Sequence, residues 1–235
     1  MSSLFQKTGV YQRTIVPSYH RTRLIAGLYA IADSGSTPTA NLPGFVRSVL
    51  EGGCRLVQLR MKGTPATDDI FLATARAILE LKQQWAFTFI VNDHADVALE
   101  IGADGVHVGA GDESVASIRK RAGRRLVIGY SSHAVDEAIA AAADGADYVA
   151  FGAIYPTATK GPGHPVQGLA RLTEVVRQVS APVVAIGGIG RAHVQPVLAT
   201  GASAIAMINA LARAPDVVSE TRWFVETMHN AARNA

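Results

Sequence analysis

Gly145-Ala146-Asp147-Tyr148 is one of four copies of a pattern that recurs along this chain, the others being Gly52-Gly53-Cys54-Arg55, Gly102-Ala103-Asp104-Gly105 and Gly201-Ala202-Ser203-Ala204. In each copy a glycine closes an alanine-rich amphipathic stretch, and an apolar run rich in β-forming residues follows directly. Glycine is the residue expected at the C-terminal end of a helix. The copies are roughly fifty residues apart, about two βα units each, so the spacing predicts eight units in all.

The rest of the chain follows the same alternation from Leu24 to the C-terminus. Strands that alternate with helices of this length form right-handed βαβ units and a parallel sheet. The sequence therefore predicts an α/β protein, a single (β/α)8 TIM barrel over residues 24–235 with a short and flexible N-terminal extension over residues 1–23. A doubly wound open sheet is the alternative. The first predicted βα turn, Ile31-Ala32-Asp33-Ser34-Gly35, lacks the G-x-G-x-x-G fingerprint, which weakens a dinucleotide-binding reading.

Composition excludes several classes of protein. The chain has 235 residues, 49% of them hydrophobic and 17% charged, with a net charge of +3. It contains no basic stripe with interleaved aromatic residues, so we expect no nucleic-acid partner. No apolar run reaches the ~18 residues that a membrane span needs, so we expect no membrane partner. A single cysteine, Cys54, is typical of a reducing compartment, and we predict a cytoplasmic protein; a homo-oligomer is left open.

The run Gln58-Leu59-Arg60-Met61-Lys62 lies at the end of the second predicted strand. Alternate residues of a strand point to opposite faces, so Gln58, Arg60 and Lys62 share one face. Both faces of a parallel barrel strand are normally apolar. Two cations on one face are costly to bury unless an anion meets them. A half-exposed strand with a solvated face is the simpler alternative.

Polar residues also end the neighbouring predicted strands, where barrels of this kind carry their sites. Asn92 and Asp93 end the third strand, and Asp112 follows the fourth. Two carboxylates on one rim suit a Mg²⁺ ion that completes its octahedron with waters and phosphate oxygens. Taken singly, each aspartate also reads as a helix N-cap. Ser131, Ser132 and His133 follow the fifth predicted strand, Leu126–Gly129, while His107 and His193 read as structural residues.

A second anion site is predicted at the ends of the last two strands. Gly187-Gly188 and Ile208-Asn209 lie there, where barrels often bind phosphate through backbone N–H groups. A plain tight turn is the alternative for the two glycines. The loop Thr157–Pro165 brings hydroxyls and Lys160 to the same end of the barrel, and Gly161-Pro162-Gly163 predicts a mobile lid. Arg60, Lys62 and Lys160 would meet the phosphate charge of the first site.

Taken together, these segments resemble the thiamine-phosphate synthase family from Leu24 to the C-terminus. The matching segments occur in order: Gln58-Leu59-Arg60-Met61-Lys62, Val91-Asn92-Asp93, Gly102-Ala103-Asp104-Gly105-Val106-His107-Val108-Gly109, Gly129-Tyr130-Ser131-Ser132-His133, Tyr155-Pro156-Thr157-Ala158-Thr159-Lys160 and Ala185-Ile186-Gly187-Gly188-Ile189. Each motif alone is weak, and the ordered set is specific.

The resemblance implies a Mg²⁺-dependent transferase that joins a hydroxymethylpyrimidine diphosphate to a thiazole phosphate and releases pyrophosphate by a dissociative mechanism. It assigns the metal to Asp93 and Asp112, and catalysis to Lys160, Ser131 and Arg60. The residues implied to bind the pyrimidine diphosphate are Gln58, Leu59, Arg60, Met61, Lys62, Asn92, Ser131 and Lys160. Those implied to bind the thiazole phosphate are Thr157, Ala158, Thr159, Gly188, Ile208 and Asn209.

The chain departs from the family pattern at two positions. Ala110 stands where the family usually has glutamine, and Asn209 where it commonly has serine. Two alternatives stay open. One is a thiazole tautomerase-like isomerase, a relative that typically lacks the Gln-x-Arg-x-Lys run and the Asn-Asp pair. The other is a non-catalytic barrel that binds phosphorylated ligands. Ala110 and the basic N-terminal arm favour this alternative.

Overall fold

Eight parallel strands form one closed barrel in the order of the sequence. The structure is a computed structural model and describes residues 24–65, 67–157 and 165–233. The barrel closes between the last strand and the first, where Gly27 pairs with Ala204. This closure confirms the predicted (β/α)8 barrel and excludes the open sheet. The strands are β1 Gly27–Asp33, β2 Leu56–Arg60, β3 Thr88–Asn92, β4 Gly105–Val108, β5 Val127–Ser132, β6 Tyr148–Phe151, β7 Val183–Ile186 and β8 Ala204–Met207.

Helices follow the strands around the outside of the barrel. They are α1 Leu42–Glu51, α2 Asp69–Glu80, α3 Ala95–Ile101, α4 Val115–Ala122, α5 Val135–Ala143, α6 Gly168–Gln178, α7 Val194–Leu198, α8 Asn209–Ala212 and α9 Val217–Arg233. Three short 3₁₀ turns, Thr39–Asn41, Leu81–Gln83 and Arg191–His193, adjoin them. None of the helices in the described ranges is long and apolar enough to cross a membrane.

Two apolar layers hold the barrel together. Tyr29, Leu56, Ile90 and Tyr148 belong to a buried cluster of side chains that point into the barrel. The alternate residues of the same strands belong to a larger cluster between the barrel and the helices. Strand alternation therefore sorts the chain into an inner and an outer core.

The recurring glycine pattern lies at the N-terminal end of the barrel, as its helix-ending role requires. Gly53, Gly102, Gly145 and Gly201 all have positive φ angles, which favour glycine. Each leads the chain from a helix into the next strand. The prediction that glycine ends four helices here is confirmed.

Two strands extend further than the sequence predicts, since the first was expected to end at Ala32 and the fifth at Gly129, and both extensions carry polar residues. β1 reaches Asp33, which pairs in register with Arg60. β5 reaches Ser132, because Ser131 and Ser132 pair with Ala150 and Phe151 of β6. These side chains are therefore held by the sheet at its C-terminal end. The predicted N-terminal extension, residues 1–23, lies outside the described residues.

Candidate active site

A pocket of about 370 Å³ opens at the C-terminal end of the barrel. Residues from β1 to β8 line it, so it sits over the barrel axis, where barrel enzymes carry their sites. Apolar side chains, among them Ile31, Ile186 and Met207, form part of its wall. The predicted site residues that line it are Gln58, Arg60, Asn92, Ser131, Thr157, Gly188, Ile208 and Asn209.

One side of the pocket opening carries charged residues, which we call the charged rim: Asp33, Arg60, Lys62, Asp93 and Asp112. Arg60 forms a salt bridge with Asp33, whose side chain is only 3% exposed. The other oxygen of Asp33 accepts a hydrogen bond of 2.9 Å from the Gly35 amide. A buried carboxylate that is fixed by the backbone and by a guanidinium holds both groups in place. Asp33 therefore sets the orientation of Arg60 at the pocket wall.

The second half of the charged rim brings two carboxylates together. Lys62 Nζ lies 2.6 Å from Asp93 Oδ2, and Asp112 lies beside the same carboxyl group. Burial raises the pKa of Asp93 above its ordinary value, and the adjacent Asp112 raises it further, while the hydrogen bond from Lys62 opposes both effects. A carboxylate with a raised pKa beside a second carboxylate is typical of a site that favours an additional positive charge.

Neither carboxylate serves as a helix cap. Ser114 caps α4, where its Oγ accepts from the Ser117 amide, and His94 precedes α3 without a side-chain capping bond. Asp112 instead accepts a 2.8 Å hydrogen bond from the Gly109 amide. Asp93 has a φ of 65°, a left-handed conformation that is uncommon outside glycine. The N-cap alternative is therefore wrong for both residues, and the backbone of Asp93 is strained in the way often found at functional sites.

The opposite side of the opening is formed by Gly187, Gly188, Ile208 and Asn209, which we call the backbone rim. Gly188 has a φ of 68°, and a β-carbon there would lie 2.7 Å from the Tyr155 carbonyl oxygen. A β-carbon on Gly187 would lie 2.5 Å from that of Ala153. Both positions therefore require glycine for packing, which confirms the tight-turn alternative, while phosphate binding by this backbone stays a prediction.

Asn209 joins the backbone rim to the loop after β1. Its Oδ1 accepts a 2.9 Å hydrogen bond from Ser36 Oγ, across 173 residues of sequence. Asn209 also begins the short helix α8, directly after β8. The loops after the last two strands, together with a short extra helix, form the phosphate site of many barrels.

A chain of hydrogen bonds crosses the floor of the pocket from one wall to the other, and we call it the polar chain: Gln58, Tyr29, Tyr148, His107 and Ser131. Gln58 Nε2 donates to Tyr29 Oη at 2.7 Å, and Tyr29 Oη lies 2.8 Å from Tyr148 Oη. His107 Nδ1 is 3.0 Å from Tyr148 Oη, and His107 Nε2 is 2.8 Å from Ser131 Oγ. The two ends of the polar chain face the pocket.

Some predicted site residues lie elsewhere. The side chains of Leu59 and Met61 are buried in the outer core, so the structure does not bring them to the pocket. Lys62, Asp93 and Asp112 lie on the charged rim beside the pocket. His133 is turned away, with Nδ1 2.6 Å from the Gly152 carbonyl oxygen. Ala158, Thr159, Lys160 and most of the predicted lid lie outside the described residues.

Sequence reasoning missed several residues of the site. His193 lines the pocket, stacks on Tyr155 with ring centroids 4.0 Å apart and accepts from the Gly190 amide. Asp33 and Tyr29 could have been found from the alternation of side chains along a strand, because both lie on the same face of β1 as the pocket-lining Ile31. His107 was expected to be a hydrogen-bonded core residue, and it is buried and bonded, but it also lines the pocket.

The fold and the site together define a class: a (β/α)8 barrel with a charged rim and a backbone rim facing each other across one pocket. The model of the thiamine monophosphate synthase family matches residues 28–211. The chain belongs to the thiamine monophosphate synthase family.

Individual relatives agree with this assignment. The chain is 42% identical to the thiamine-phosphate synthase of Methanocella arvoryzae over 195 residues, which cover 83% of this chain and 91% of the relative. It is 43% identical to that of Anaeromyxobacter dehalogenans, with 86% of each chain covered. Among solved structures, the thiamine phosphate pyrophosphorylase from Pyrococcus furiosus is similar with a TM-score of 0.77 at 35% identity, covering 89% of this chain and 98% of that one.

Proposed function

We propose that this protein is a thiamine-phosphate synthase, a transferase that joins 4-amino-2-methyl-5-hydroxymethylpyrimidine diphosphate to a thiazole phosphate and releases pyrophosphate. The observation that carries the proposal is the placement of the charged rim and the backbone rim, two chemically different candidates for binding anions, on opposite sides of one pocket. A reaction between two phosphorylated substrates needs such a pair. The family membership and the named relatives support the same reaction.

The charged rim suits the diphosphate. Arg60 offers a bidentate fork and Lys62 a mobile point charge, which are the two usual ways to hold phosphate oxygens. Asn92, only 7% exposed, adds an amide to the pocket wall from the end of β3. The pyrimidine ring would then lie over the polar chain, between Gln58 and Ser131.

The backbone rim suits the thiazole phosphate. Its members at the pocket are glycine backbone, Ile208 and a neutral amide, so it can bind a single phosphate without extra cations. Thr157 also lines the pocket on this side, and Ala158 and Thr159 are assigned to the same phosphate by the family resemblance. The two substrates would therefore meet over the barrel axis in a fixed orientation, which removes much of the entropy cost of their encounter.

The charged rim has the chemistry of a magnesium site. Its three carboxylates outnumber its two cations, and Asp93 and Asp112 oppose each other. No group of three or more histidine, cysteine, aspartate or glutamate side chains that could hold a metal occurs among the described residues. Two carboxylates suit Mg²⁺, which keeps waters and takes phosphate oxygens. When bound between Asp93 and Asp112, Mg²⁺ would supply the positive charge that favours departure of the diphosphate.

The proposed reaction needs no general base for its bond-forming step. The bond between the pyrimidine methylene carbon and the diphosphate oxygen breaks, and its electron pair leaves with pyrophosphate. The lone pair of the thiazole nitrogen then forms the new C–N bond to the resulting pyrimidine-stabilised cation. Arg60 and Lys62 would hold the departing charge, and the apolar wall formed by Ile31, Ile186 and Met207 would limit access of water to the cation.

The test is turnover of the purified protein with both substrates and Mg²⁺, with thiamine phosphate measured as its fluorescent oxidation product. We expect product only when all three are present. Asp112→Asn should abolish most of the turnover, while Glu113→Gln, which changes the next carboxylate along the chain, should not. Lys160→Ala tests the part of the site that lies outside the described residues.

Other results would identify a different function. A folded protein that binds the thiazole phosphate but forms no product would contradict the synthase proposal. Isomerisation of the thiazole phosphate by that same protein would indicate a tautomerase-like enzyme. Binding of both ligands without either reaction would indicate a non-catalytic barrel.

A further inference from the structure

Apart from Gln58, whose amide nitrogen carries two hydrogens, each group of the polar chain can pass on only one hydrogen. A phenol or a serine hydroxyl carries one hydrogen, and a neutral imidazole carries one on either Nδ1 or Nε2. Gln58 Nε2 donates to Tyr29 Oη, which leaves the Tyr29 hydrogen for Tyr148 Oη. Because buried donors need acceptors, each member then passes its hydrogen to the next.

This rule fixes the remaining links. Tyr148 accepts from Tyr29 and donates to His107 Nδ1, so the hydrogen of the neutral imidazole is on Nε2. His107 Nε2 donates to Ser131 Oγ, and the hydroxyl hydrogen of Ser131 is left to point into the pocket. If the Gln58 amide were turned over, every link would reverse, and Ser131 would have to donate to His107.

We propose that Tyr29, Tyr148 and His107 are positioning residues that transmit the amide orientation of Gln58 to Ser131, so that the pocket presents a hydrogen-bond donor at Ser131 and an acceptor, the Gln58 carbonyl oxygen, on the opposite wall. This proposal deepens the proposed function, on which its kinetic part rests. A flat heteroaromatic ligand with an acceptor nitrogen on one edge and an amino group on the other, as in an aminopyrimidine, fits that pattern in only one orientation.

The surroundings of the polar chain preserve this arrangement. Tyr29 and Tyr148 are 1% and 0% exposed, so no bulk water competes for their hydroxyls. Burial raises the pKa of both phenols, so they stay protonated and can pass hydrogens at any working pH. A β-carbon on Gly129 would lie 2.5 Å from His107 Nδ1 and would collide with the Tyr148 phenol. Glycine at this position leaves room for the link between the two rings.

The imidazole tautomer can be measured directly in the ligand-free protein. Protein labelled with ¹⁵N-histidine would be examined by long-range ¹H–¹⁵N correlation NMR at neutral pH, with His107→Gln used to assign the signal. We expect His107 to carry its hydrogen on Nε2. A hydrogen on Nδ1, or on both nitrogens, would overturn the proposal. This result does not depend on what the protein catalyses.

Two variants test whether the tautomer is set from the Gln58 end. Tyr29→Phe removes a hydroxyl that is two links from His107, and Tyr148→Phe removes the adjacent one; both preserve the ring volume. We expect each to give a mixture of the two tautomers. Tyr130→Phe is the matched control, because Tyr130 neighbours Ser131 on β5 but its hydroxyl faces Glu137 outside the barrel. An unchanged tautomer in folded Tyr29→Phe and Tyr148→Phe would overturn the proposal.

Kinetics separate positioning from general damage. In Tyr29→Phe and Tyr148→Phe we expect kcat/KM for the pyrimidine diphosphate to fall roughly tenfold, the value of one hydrogen bond. The KM for the thiazole phosphate and the affinity for inorganic pyrophosphate should stay unchanged, because other residues bind those groups. Equal losses for all three ligands would overturn the positioning role. A wild-type protein with the expected tautomer but no turnover would instead contradict the proposed function and leave the polar chain as inferred.

Discussion

At the N-terminal end of the barrel the carboxylate of Asp147 accepts hydrogen bonds from the Ile128 amide and from Arg119, whereas at the C-terminal end the carboxylate of Asp93 faces a second carboxylate, that of Asp112. Asp104 repeats the satisfied arrangement, with a 2.7 Å bond from the Phe89 amide and a salt bridge to Lys82. Aspartates at the N-terminal end are therefore paired with donors and cations, whereas Asp93 at the C-terminal end faces another carboxylate.

The difference separates stability from function. A carboxylate that is paired with a guanidinium and a backbone amide is stabilised in its charged form and fixes the chain that carries it. A carboxylate opposite another one, on a left-handed residue, costs folding free energy that is recovered only when a ligand supplies positive charge. In the proposed function, aspartates of the first kind stabilise the barrel, and those of the second kind take part in the reaction.

The largest expected effect is on turnover, from a change at the C-terminal end of the barrel. We call this the unsatisfied end, because Asp93 there faces a second carboxylate, and we call the N-terminal end the satisfied end. We expect Asp93→Asn to lower kcat by at least about 100-fold, the scale for loss of a group that supports transition-state charge. The same variant should be as stable as the wild type or more stable, since it removes the repulsion with Asp112 and asparagine tolerates a left-handed backbone. Steady-state kinetics and thermal unfolding would measure both.

Asp96→Asn is the matched control for this prediction. Asp96 lies three residues further along the chain, is 86% exposed and contacts Arg121 on the outside of the barrel. Its kcat should match that of the wild type. Equal activity of Asp93→Asn and Asp96→Asn would show that the charged rim has no part in the reaction, whatever the pocket binds.

A change at the satisfied end should have the reverse signature. We expect Asp147→Ala to lower the free energy of unfolding by about 2 kcal/mol, because it removes charge-assisted hydrogen bonds and leaves the Ile128 amide without its acceptor. Turnover per folded molecule should not change. Denaturant unfolding measures the stability, and Asp144→Ala, which changes an exposed carboxylate just after the end of α5, should stay within about 0.5 kcal/mol of the wild type.

The satisfied end was the more predictable of the two. The Gly-Ala-Asp pattern, its spacing and the period-two strands follow from local rules, and they were sufficient for the barrel and its closure. The polar strand ends then gave the position of the site, because parallel strands bring their C-terminal ends to one edge. Arg60, Asn92 and Asn209 all line the pocket as predicted.

What the sequence could not give were partnerships between distant residues. Asp33 and Arg60 are 27 positions apart, and Tyr29 and Tyr148 are 119 apart. Their pairing depends on strand register and barrel closure, which local patterns do not specify. Tyr29 and Tyr148 also resemble ordinary core residues, and only their hydroxyl contacts reveal a role at the site. The interpretation of both aspartates as N-caps was wrong for local reasons, because Ser114, two residues after Asp112, caps α4, and α3 begins after His94 without a side-chain cap.

Magnesium should affect stability in a pH-dependent way at the unsatisfied end. The raised pKa of Asp93 means that the folded protein binds this proton more tightly than the unfolded chain does. Ionised Asp93 therefore lowers stability above its folded pKa, and this penalty disappears as the pH falls. We expect Mg²⁺ at several times its Kd to stabilise the protein by about 1 kcal/mol at neutral pH. The gain should fade as acid protonates Asp93.

Thermal unfolding with and without Mg²⁺, at matched ionic strength across a pH series, would measure this gain. Asp93→Asn should show little or none of it at any pH. If Mg²⁺ stabilises Asp147→Ala as much as the wild type, the ion does not bind at the N-terminal end, which agrees with a site at the C-terminal end. A gain that persists unchanged in Asp93→Asn would place it elsewhere and contradict the assignment to the charged rim.

The smallest expected effect lies on the backbone rim, which holds its ligand with neutral groups. Asn209→Ala should raise the KM for the thiazole phosphate about fivefold, the value of roughly one neutral hydrogen bond. Asn209→Ser, which restores the residue common in the family, should change it by less than about threefold. Steady-state kinetics at saturating pyrimidine diphosphate would measure both, and kcat should stay near the wild-type value because this rim carries no leaving charge.

Ser36→Ala separates the two functions that Asn209 can have. It removes the hydroxyl that donates to Asn209 Oδ1 and leaves the amide itself in place. If Asn209 contacts the phosphate, Ser36→Ala should raise the KM less than Asn209→Ala does. If Asn209 only anchors the loop after β1, the two variants should have equal effects, and Asn209→Ser should resemble them. That second pattern would mean that the phosphate is held by backbone groups alone. The backbone rim would then bind its ligand without any side chain, whereas the charged rim uses charged side chains.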